Sequence, residues 1–475
     1  MSIFREYDIR GVVGRDLTGS IAYKIGFAFG GMLKERGASR ITIGRDARLS
    51  SPELFSNLVS GLDRAGIKVV DIGICPTPLL YFSLFHPPGS ALGGERVEGG
   101  VMITGSHNPA DYNGFKLCIG QDTLYGEDLQ RLRRRVEKEV GGEKLEAKDE
   151  GLKQEIIPLY QDYMKKQFGP VSKQARAKPI IVVLDSGNGT AGIVAPAIFR
   201  DLGCRVVELY SEPDGRFPNH HPDPTMPDNL HDLIAAVRAE KAAFGVGYDG
   251  DADRIGVVDD QGTILWGDQL MMLFAREILT QRPNATFVSE VKASQLLFDD
   301  IRKRGGTAIM WRTGHSLIKA KMKEENAALA GEMSGHLFFA DRYFGYDDAI
   351  YASLRLLELV VRRGKPLSSL LSDLPRSHNT PEIRVDCPDD RKFAVVERLK
   401  EALKSSQFTV HGSQPRIRDL ITVDGVRVVF EGGWGLIRAS NTQPALVLRF
   451  EADSESKLSE IRAFLEGQLQ AVLKP

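Results

Sequence analysis

Strand-like and helix-like segments alternate through roughly the first 370 residues of the chain, in three blocks of similar content. The first block holds ITIG, the helix-like PELFSNLVSGLDRAG, KVVDIG and GGVMIT. The second holds PIIVVLD, a helix from about Thr190, CRVVELY and AFGVGYD; the third holds TFVSEV, a helix near Ser294 and TAIMW. Repeated switching between a period of 2 and a period of 3.6 favours helices layered on sheets over a sandwich or a helical bundle. After about residue 380 the pattern changes. EIRVD and a helix from about Asp390 precede TVDGVRVVFEGGWGLIRASNTQPALVLRFEA, where Asp424-Gly425 and Gly432-Gly433 mark turns between strands, and SKLSEIRAFLEGQLQAVL ends the chain as an amphipathic helix.

The expected architecture is α/β: three similar mixed-sheet α/β domains and a smaller C-terminal α+β domain. Charged or turn-rich segments at VGGEKLEAKDEG, VDDQG and LSDLPRSHNTP place the domains at residues 1–150, 151–257, 258–372 and 373–475. With 475 residues the chain has room for several cores. A net charge of -1 gives no reason to expect a nucleic-acid or membrane partner, so any anion binding must be local. Cys75, Cys118, Cys204 and Cys387 form no C-x-x-C pair, which fits reduced thiols in the cytoplasm better than a disulfide framework. The opening MSIFREYDIRG lacks the apolar run of a secretory signal, and no segment approaches the length needed to span a bilayer.

Several loops carry more chemistry than turns require. In VMITGSHNPADYNGFK a strand ends at Gly105, and Asn108 with Pro109 turns the chain, leaving Ser106 and His107 on an exposed loop. YDGDADR follows another strand and sets Asp249, Asp251 and Asp253 at alternate positions. Three carboxylates so close repel one another, and a bound hard divalent cation such as magnesium removes the conflict. An acidic turn without metal is the bland alternative. An EF-hand is excluded because Arg254 and Asp260 stand where glycine and glutamate are needed. SGNGTAG matches G-x-G-x-x-G through Gly187, Gly189 and Gly192, but Asp185 at the strand end opposes a pyrophosphate. A tight glycine-rich turn is preferred to a dinucleotide site. GEMSGH offers Glu332, Ser334 and His336 to sugar hydroxyls, or is a polar turn. RASNT offers Arg438, Ser440, Asn441 and Thr442, with Arg449 beyond, to a phosphate dianion, or is a hydrogen-bonded hairpin. Tyr7, Arg10, Lys292, Arg312 and His315 are weaker candidates.

In this order, TGSHNP, DGDADR, GEMSGH and RASNT, with YDIRG ahead of them and NGFK after the serine loop, resemble the α-D-phosphohexomutases, particularly the bacterial phosphomannomutase/phosphoglucomutase enzymes. The resemblance spans essentially the whole chain and implies four domains around a central cleft. It implies reversible interconversion of hexose 6-phosphate and hexose 1-phosphate through a phosphoserine enzyme and a hexose 1,6-bisphosphate intermediate, which also serves as activator. It makes Ser106 the phosphoryl carrier beside His107, and makes Asp249, Asp251 and Asp253 ligands of Mg2+ together with a phosphoserine oxygen. Lys116 and Arg10 become cations near the phosphoserine, with Arg254 in the metal loop. Glu332 and Ser334 recognise sugar hydroxyls, His336 and His315 become ligand contacts, and the proton-transfer group is His336, Lys116 or His315. Arg438, Ser440, Asn441 and Thr442 grip the non-reacting phosphate.

The partner expected is a small phosphosugar, and a monomer is compatible with this reading. Met333 in GEMSGH resembles the enzymes acting on mannose and glucose phosphates, whereas phosphoglucosamine mutases more often carry glutamine there. A metal-dependent sugar phosphatase and a binding protein without turnover are the other classes. Phosphate release, or binding without isomer formation, would distinguish them.

Overall fold

The computed structural model describes residues 3–85, 97–139, 152–177, 180–406, 415–441 and 443–473. Four sheets carry the fold, in chain order, with helices packed on them. In the first, the strands Arg40–Arg45, Lys68–Ile74 and Gly99–Ile103 run parallel, and Tyr112–Ile119 lies antiparallel to Gly99–Ile103, bringing Lys116 opposite Met102. The strand Ile9–Val12 joins the far side of Tyr112–Ile119, with Arg10 opposite Gly114. The second sheet orders Ile264–Leu265, Ile255–Asp259, Phe244–Tyr248, Ile181–Asp185 and Arg205–Leu209. The third orders Thr307–Trp311, Thr286–Glu290, Leu329–Gly331 and Leu337–Phe339, and the fourth is wholly antiparallel, as expected of the α+β segment.

Two expected boundaries fall inside sheets. The second sheet runs on to Leu265, so position 257 cuts the strand Ile255–Asp259. VDDQG is a hairpin turn, with Asp259 accepting from the amides of Gln261 and Thr263, and not a linker. Leu152–Lys153 likewise pairs with Lys68–Ile74 and belongs to the first sheet.

One continuous apolar core joins the first three domains. Leu79 and Phe82 from the first meet Phe199 and Tyr248 from the second and Phe339 and Leu356 from the third, while the fourth domain keeps a core of its own. The long helix Ile156–Ala177 is packed into the shared core through Tyr160, Met164 and Phe168.

Tyr160 also reaches a buried polar knot. Its hydroxyl and that of Tyr343 each donate to Asp348 Oδ2 at 2.8 Å, while Asp348 Oδ1 accepts the Tyr351 amide at 2.8 Å and so caps the helix Ala349–Arg363. Burial pushes the Asp348 carboxyl up to about 6, against the opposing pull of these donors. A carboxyl whose value rises on folding stabilises fully below its unfolded value, and that stabilisation disappears as pH climbs through the folded one. We therefore expect wild type to lose roughly 3 kcal/mol relative to Asp348→Asn between about pH 3.5 and pH 6.5. Denaturant unfolding of the two proteins across this range checks it; a constant gap would refute it.

Candidate active site

The strand Gly99–Ile103 delivers the serine loop to one edge of the interface between the first two domains. The six-residue turn between Phe244–Tyr248 and Ile255–Asp259 delivers the acidic loop to the same place. Ser106 Oγ donates to Asp249 Oδ2 at 2.7 Å and lies 3.1 Å from His107 Nδ1. The loop is not exposed as expected: Ser106 is 3% accessible and His107 is half-buried, because the acidic loop of the second domain closes over them.

The contact is backbone-tight. A Cβ on Gly250 would stand 2.6 Å from the Ser106 carbonyl oxygen, and one on Gly189 would stand 2.7 Å from the Gly250 carbonyl oxygen. Thr190 N also donates to Gly250 O at 3.1 Å. The glycine-rich SGNGTAG turn therefore backs the acidic loop, and His220 Nε2 lies 3.1 Å from both oxygens of Asp185.

Asp249, Asp251 and Asp253 are wholly buried. Their charges are handled unequally. Burial, followed by the neighbouring Asp253 and Asp251, pushes the Asp249 carboxyl well above the usual range. Burial acts in the same direction on Asp251, but the Lys116 ammonium at 2.8 Å outweighs it and holds that carboxyl low. Lys116 also pairs with Asp253 Oδ2, and although burial works against its charge, the two aspartates keep it firmly cationic. Asp251 Oδ1 and Asp253 Oδ1 are left buried with no hydrogen-bond partner among the described residues. Unsatisfied carboxylate oxygens inside a protein are costly, and three convergent hard donors fit a small divalent cation.

The third domain closes the opposite side. His336 Nε2 accepts from Arg254 Nε at 2.9 Å, and its Nδ1 lies 3.0 Å from Asp347 Oδ2 and 3.8 Å from Asp253 Oδ1. Because the arginine N–H can only donate, this contact places the imidazole lone pair on Nε2 and the proton on Nδ1. His315 stacks on His336 with ring centroids 5.5 Å apart, and burial followed by Lys319 pulls its basicity well down. Burial and the approach of Arg254 do the same for His107. Arg10 pairs with Asp8 through Nε and Nη2, while its Nη1 is buried without a partner among the described residues.

Further along the same face, Glu332 Oε1 accepts the Gly314 amide at 2.7 Å, and burial with the nearby Glu290 raises its carboxyl. Ser334 is half-buried in the same turn. Lys292 sits between Glu290, 3.4 Å away, and Glu382, 3.2 Å away. The fourth domain arrives here too. Arg438 Nε donates to Asp424 Oδ2 at 2.9 Å, the same oxygen accepts the Thr313 amide at 3.0 Å, and Asn441 Nδ2 reaches Thr313 O at 3.5 Å. Asn441 also hydrogen-bonds Tyr7, whose hydroxyl is pushed up by burial. Arg438 Nη2 and Thr313 Oγ1 are buried without partners among the described residues, and Ser440 is buried beside them. Thr442 lies outside the described residues.

Two expected ligand contacts border this cluster. Arg312 is exposed at the end of the strand Thr307–Trp311. Arg449, on the strand Ala445–Ala452, is turned into the seam between the third and fourth domains. There it donates to the Lys292 carbonyl and lies 5.9 Å from the Trp434 ring. Conversely, Asp347 and Thr77, which donates to Asp251, were not singled out in the sequence. Asp347 is read most simply as a helix-start acid in FGYDDA, and only the fold shows that it faces His336.

Family models for the phosphoglucomutase/phosphomannomutase α/β/α domains I, II and III match residues 1–141, 158–262 and 266–378, and the model for the C-terminal domain matches 382–468. The chain belongs to this family. It is 47% identical over 474 residues to a phosphomannomutase/phosphoglucomutase of Pseudomonas aeruginosa, covering 99% of this chain and 96% of that one. It is 44% identical to a phosphoglucomutase of Neisseria gonorrhoeae over 463 residues, covering 97% and 95%. Among solved structures, a phosphoglucomutase/phosphomannomutase family protein from Burkholderia thailandensis superimposes with a TM-score of 0.88 at 40% identity, covering 99% and 98%. Family membership thus agrees with the architecture and with the convergence of the four loops. Among the described residues no helix is long and apolar enough to cross a membrane.

Proposed function

We propose that the chain is a phosphohexomutase that interconverts the 6-phosphates and 1-phosphates of mannose and glucose through phosphorylated Ser106. The observation that carries the proposal is the meeting of the Ser106 hydroxyl with three buried carboxylates, two of which keep an unsatisfied oxygen. Asp249, Asp251 and Asp253 would hold Mg2+, which when bound offsets phosphate charge and helps align the transferring group. In transfer, the bond from phosphorus to Ser106 Oγ breaks as one forms to the sugar oxygen, and the sugar hydroxyl gives up its proton. Lys116, paired here with Asp251 and Asp253, lies among the residues that would hold the cation. We assign the role of proton acceptor to His336, whose opposite nitrogen faces Asp347 and whose Nε2, here accepting from Arg254, would take the proton once that guanidinium turns to a bound phosphate.

Arg438, with Asn441 and Ser440, would hold the non-reacting phosphate. Arg438→Ala is expected to raise KM for hexose 1-phosphate by roughly 10- to 100-fold, the equivalent of about 1.5–3 kcal/mol for a charged hydrogen bond. Steady-state kinetics would show it. A hexose 1,6-bisphosphate is the activator that fits this chemistry, and buried unpaired cysteines accord with a cytoplasmic setting.

The proposal is tested by intact mass and a coupled assay together. Incubation with glucose 1,6-bisphosphate should add one phosphate-sized increment, and mannose 1-phosphate and glucose 1-phosphate should both be converted. Release of inorganic phosphate in step with substrate loss would indicate a phosphatase, and a dominant rate on glucosamine 1-phosphate would reassign the sugar.

A further inference from the structure

Arg48 belongs to none of the motifs described above, yet its side chain has no solvent exposure and touches the serine loop from behind. A guanidinium has five N–H donors in a fixed fork, and all five are used here. Nε donates to Asp46 Oδ2 at 3.1 Å. Nη1 donates to the carbonyls of Pro109 and of Tyr112, the latter at 2.9 Å. Nη2 donates to the carbonyls of Ser106 at 2.9 Å and Asn108 at 2.5 Å. Four donors thus end on one short loop.

Asp46 fixes the other side. Its carboxylate accepts the Arg48 amide at 3.0 Å, the Gly105 amide at 2.9 Å and the Ser51 hydroxyl at 2.8 Å. The Phe217 ring of the second domain lies 5.1 Å from the guanidinium carbon and closes it off.

What the loop must hold is unusual. Ser106 has φ of 48°, in the left-handed region that a residue with a Cβ occupies only when its surroundings enforce it. Its own amide donates to Thr104 Oγ1 at 2.8 Å, and its carbonyl is taken by Arg48, so both sides of the residue are pinned.

We propose that Arg48 is a positioning residue for phosphoryl transfer: by gathering four carbonyls of the serine loop it holds Ser106 in its left-handed conformation, with Oγ aimed at Asp249. It does so without touching substrate. The proposal rests on the mutase reading for its consequence in catalysis, but its structural half stands apart from that reading. Lysine cannot substitute, because its three donors leave one point and cannot span four carbonyls.

Arg48→Lys is the test, with kinetics and amide hydrogen exchange measured on the same preparation of full-length protein. We expect kcat to fall by roughly 100-fold with KM changed by less than about threefold, the pattern of a misplaced nucleophile with intact binding. Exchange at the Ser106, Asn108 and Tyr112 amides should rise roughly tenfold, the equivalent of about 1.4 kcal/mol of released strain. Wild-type kcat in Arg48→Lys, or unchanged exchange in this loop, overturns the proposal. Absence of phosphoserine in wild type would sink the mutase reading while the exchange data still judge Arg48.

If Arg48→Lys does not fold, Ser106→Gly and Ser106→Ala decide the matter. Glycine relieves the strain and alanine retains it, so loop amides should exchange more slowly in the glycine variant. Equal rates in the two variants would overturn the proposal.

Discussion

Ser106→Ala is expected to lower turnover by roughly 10,000-fold or more, because the group that carries the phosphoryl between sugar oxygens is gone and water cannot replace it. The variant should fold normally. Alanine tolerates the same backbone conformation as serine, and the hydroxyl lost donates to a carboxylate that burial and its neighbours already push toward protonation. The check is threefold: rate, intact mass after treatment with glucose 1,6-bisphosphate, and melting temperature. A variant that still gains a phosphate-sized increment would place the carrier elsewhere, with an aspartate of the acidic loop the next candidate.

Asp253→Asn should have the second largest effect, with kcat lower by roughly 1,000-fold. Asp253 links the acidic loop to the third domain: it holds the Lys116 ammonium on Oδ2, stands 3.8 Å from the His336 ring through Oδ1, and leaves that Oδ1 unsatisfied. Its replacement should weaken binding of Mg2+, or of Mn2+ as a spectroscopic probe, by roughly 100-fold. Stability in the presence of a chelator should change far less, since removing one of three crowded carboxylates eases the repulsion felt by Asp249. Normal metal affinity in this variant would remove the triplet from consideration as a cation site.

Much of this arrangement was legible because the reactive groups sit at strand ends in short polar segments with no structural need for them. Ser106, Asp249 and Glu332 all declare themselves in this way, and the structure brings them to one face. The exposure of the serine loop was misread because its cover comes from a segment over 140 positions away, and local sequence carries no trace of such a contact. Arg449 is hard to place for a related reason. Strand alternation shows that successive residues face opposite ways, but not which face meets a neighbouring domain. Asp347 and Arg48 stayed hidden because an acid before a helix and an arginine after a strand are ordinary in α/β proteins. Their roles exist only as distances to His336 and to the serine loop carbonyls. The boundary at 257 failed because a hairpin turn and a linker share the same composition.

The spacing between nucleophile and acidic loop is set where main chain meets main chain, at Gly250 against Ser106 and Gly189 against Gly250. Variation in side chains has little purchase on such a joint. Drift elsewhere in the chain can alter which sugar is welcomed or how quickly the product departs, while the gauge of the reaction centre stays constant. A methyl group added at either glycine would act as a shim, prising two folding units apart, and its damage would surface as lost chemistry before it surfaced as lost structure.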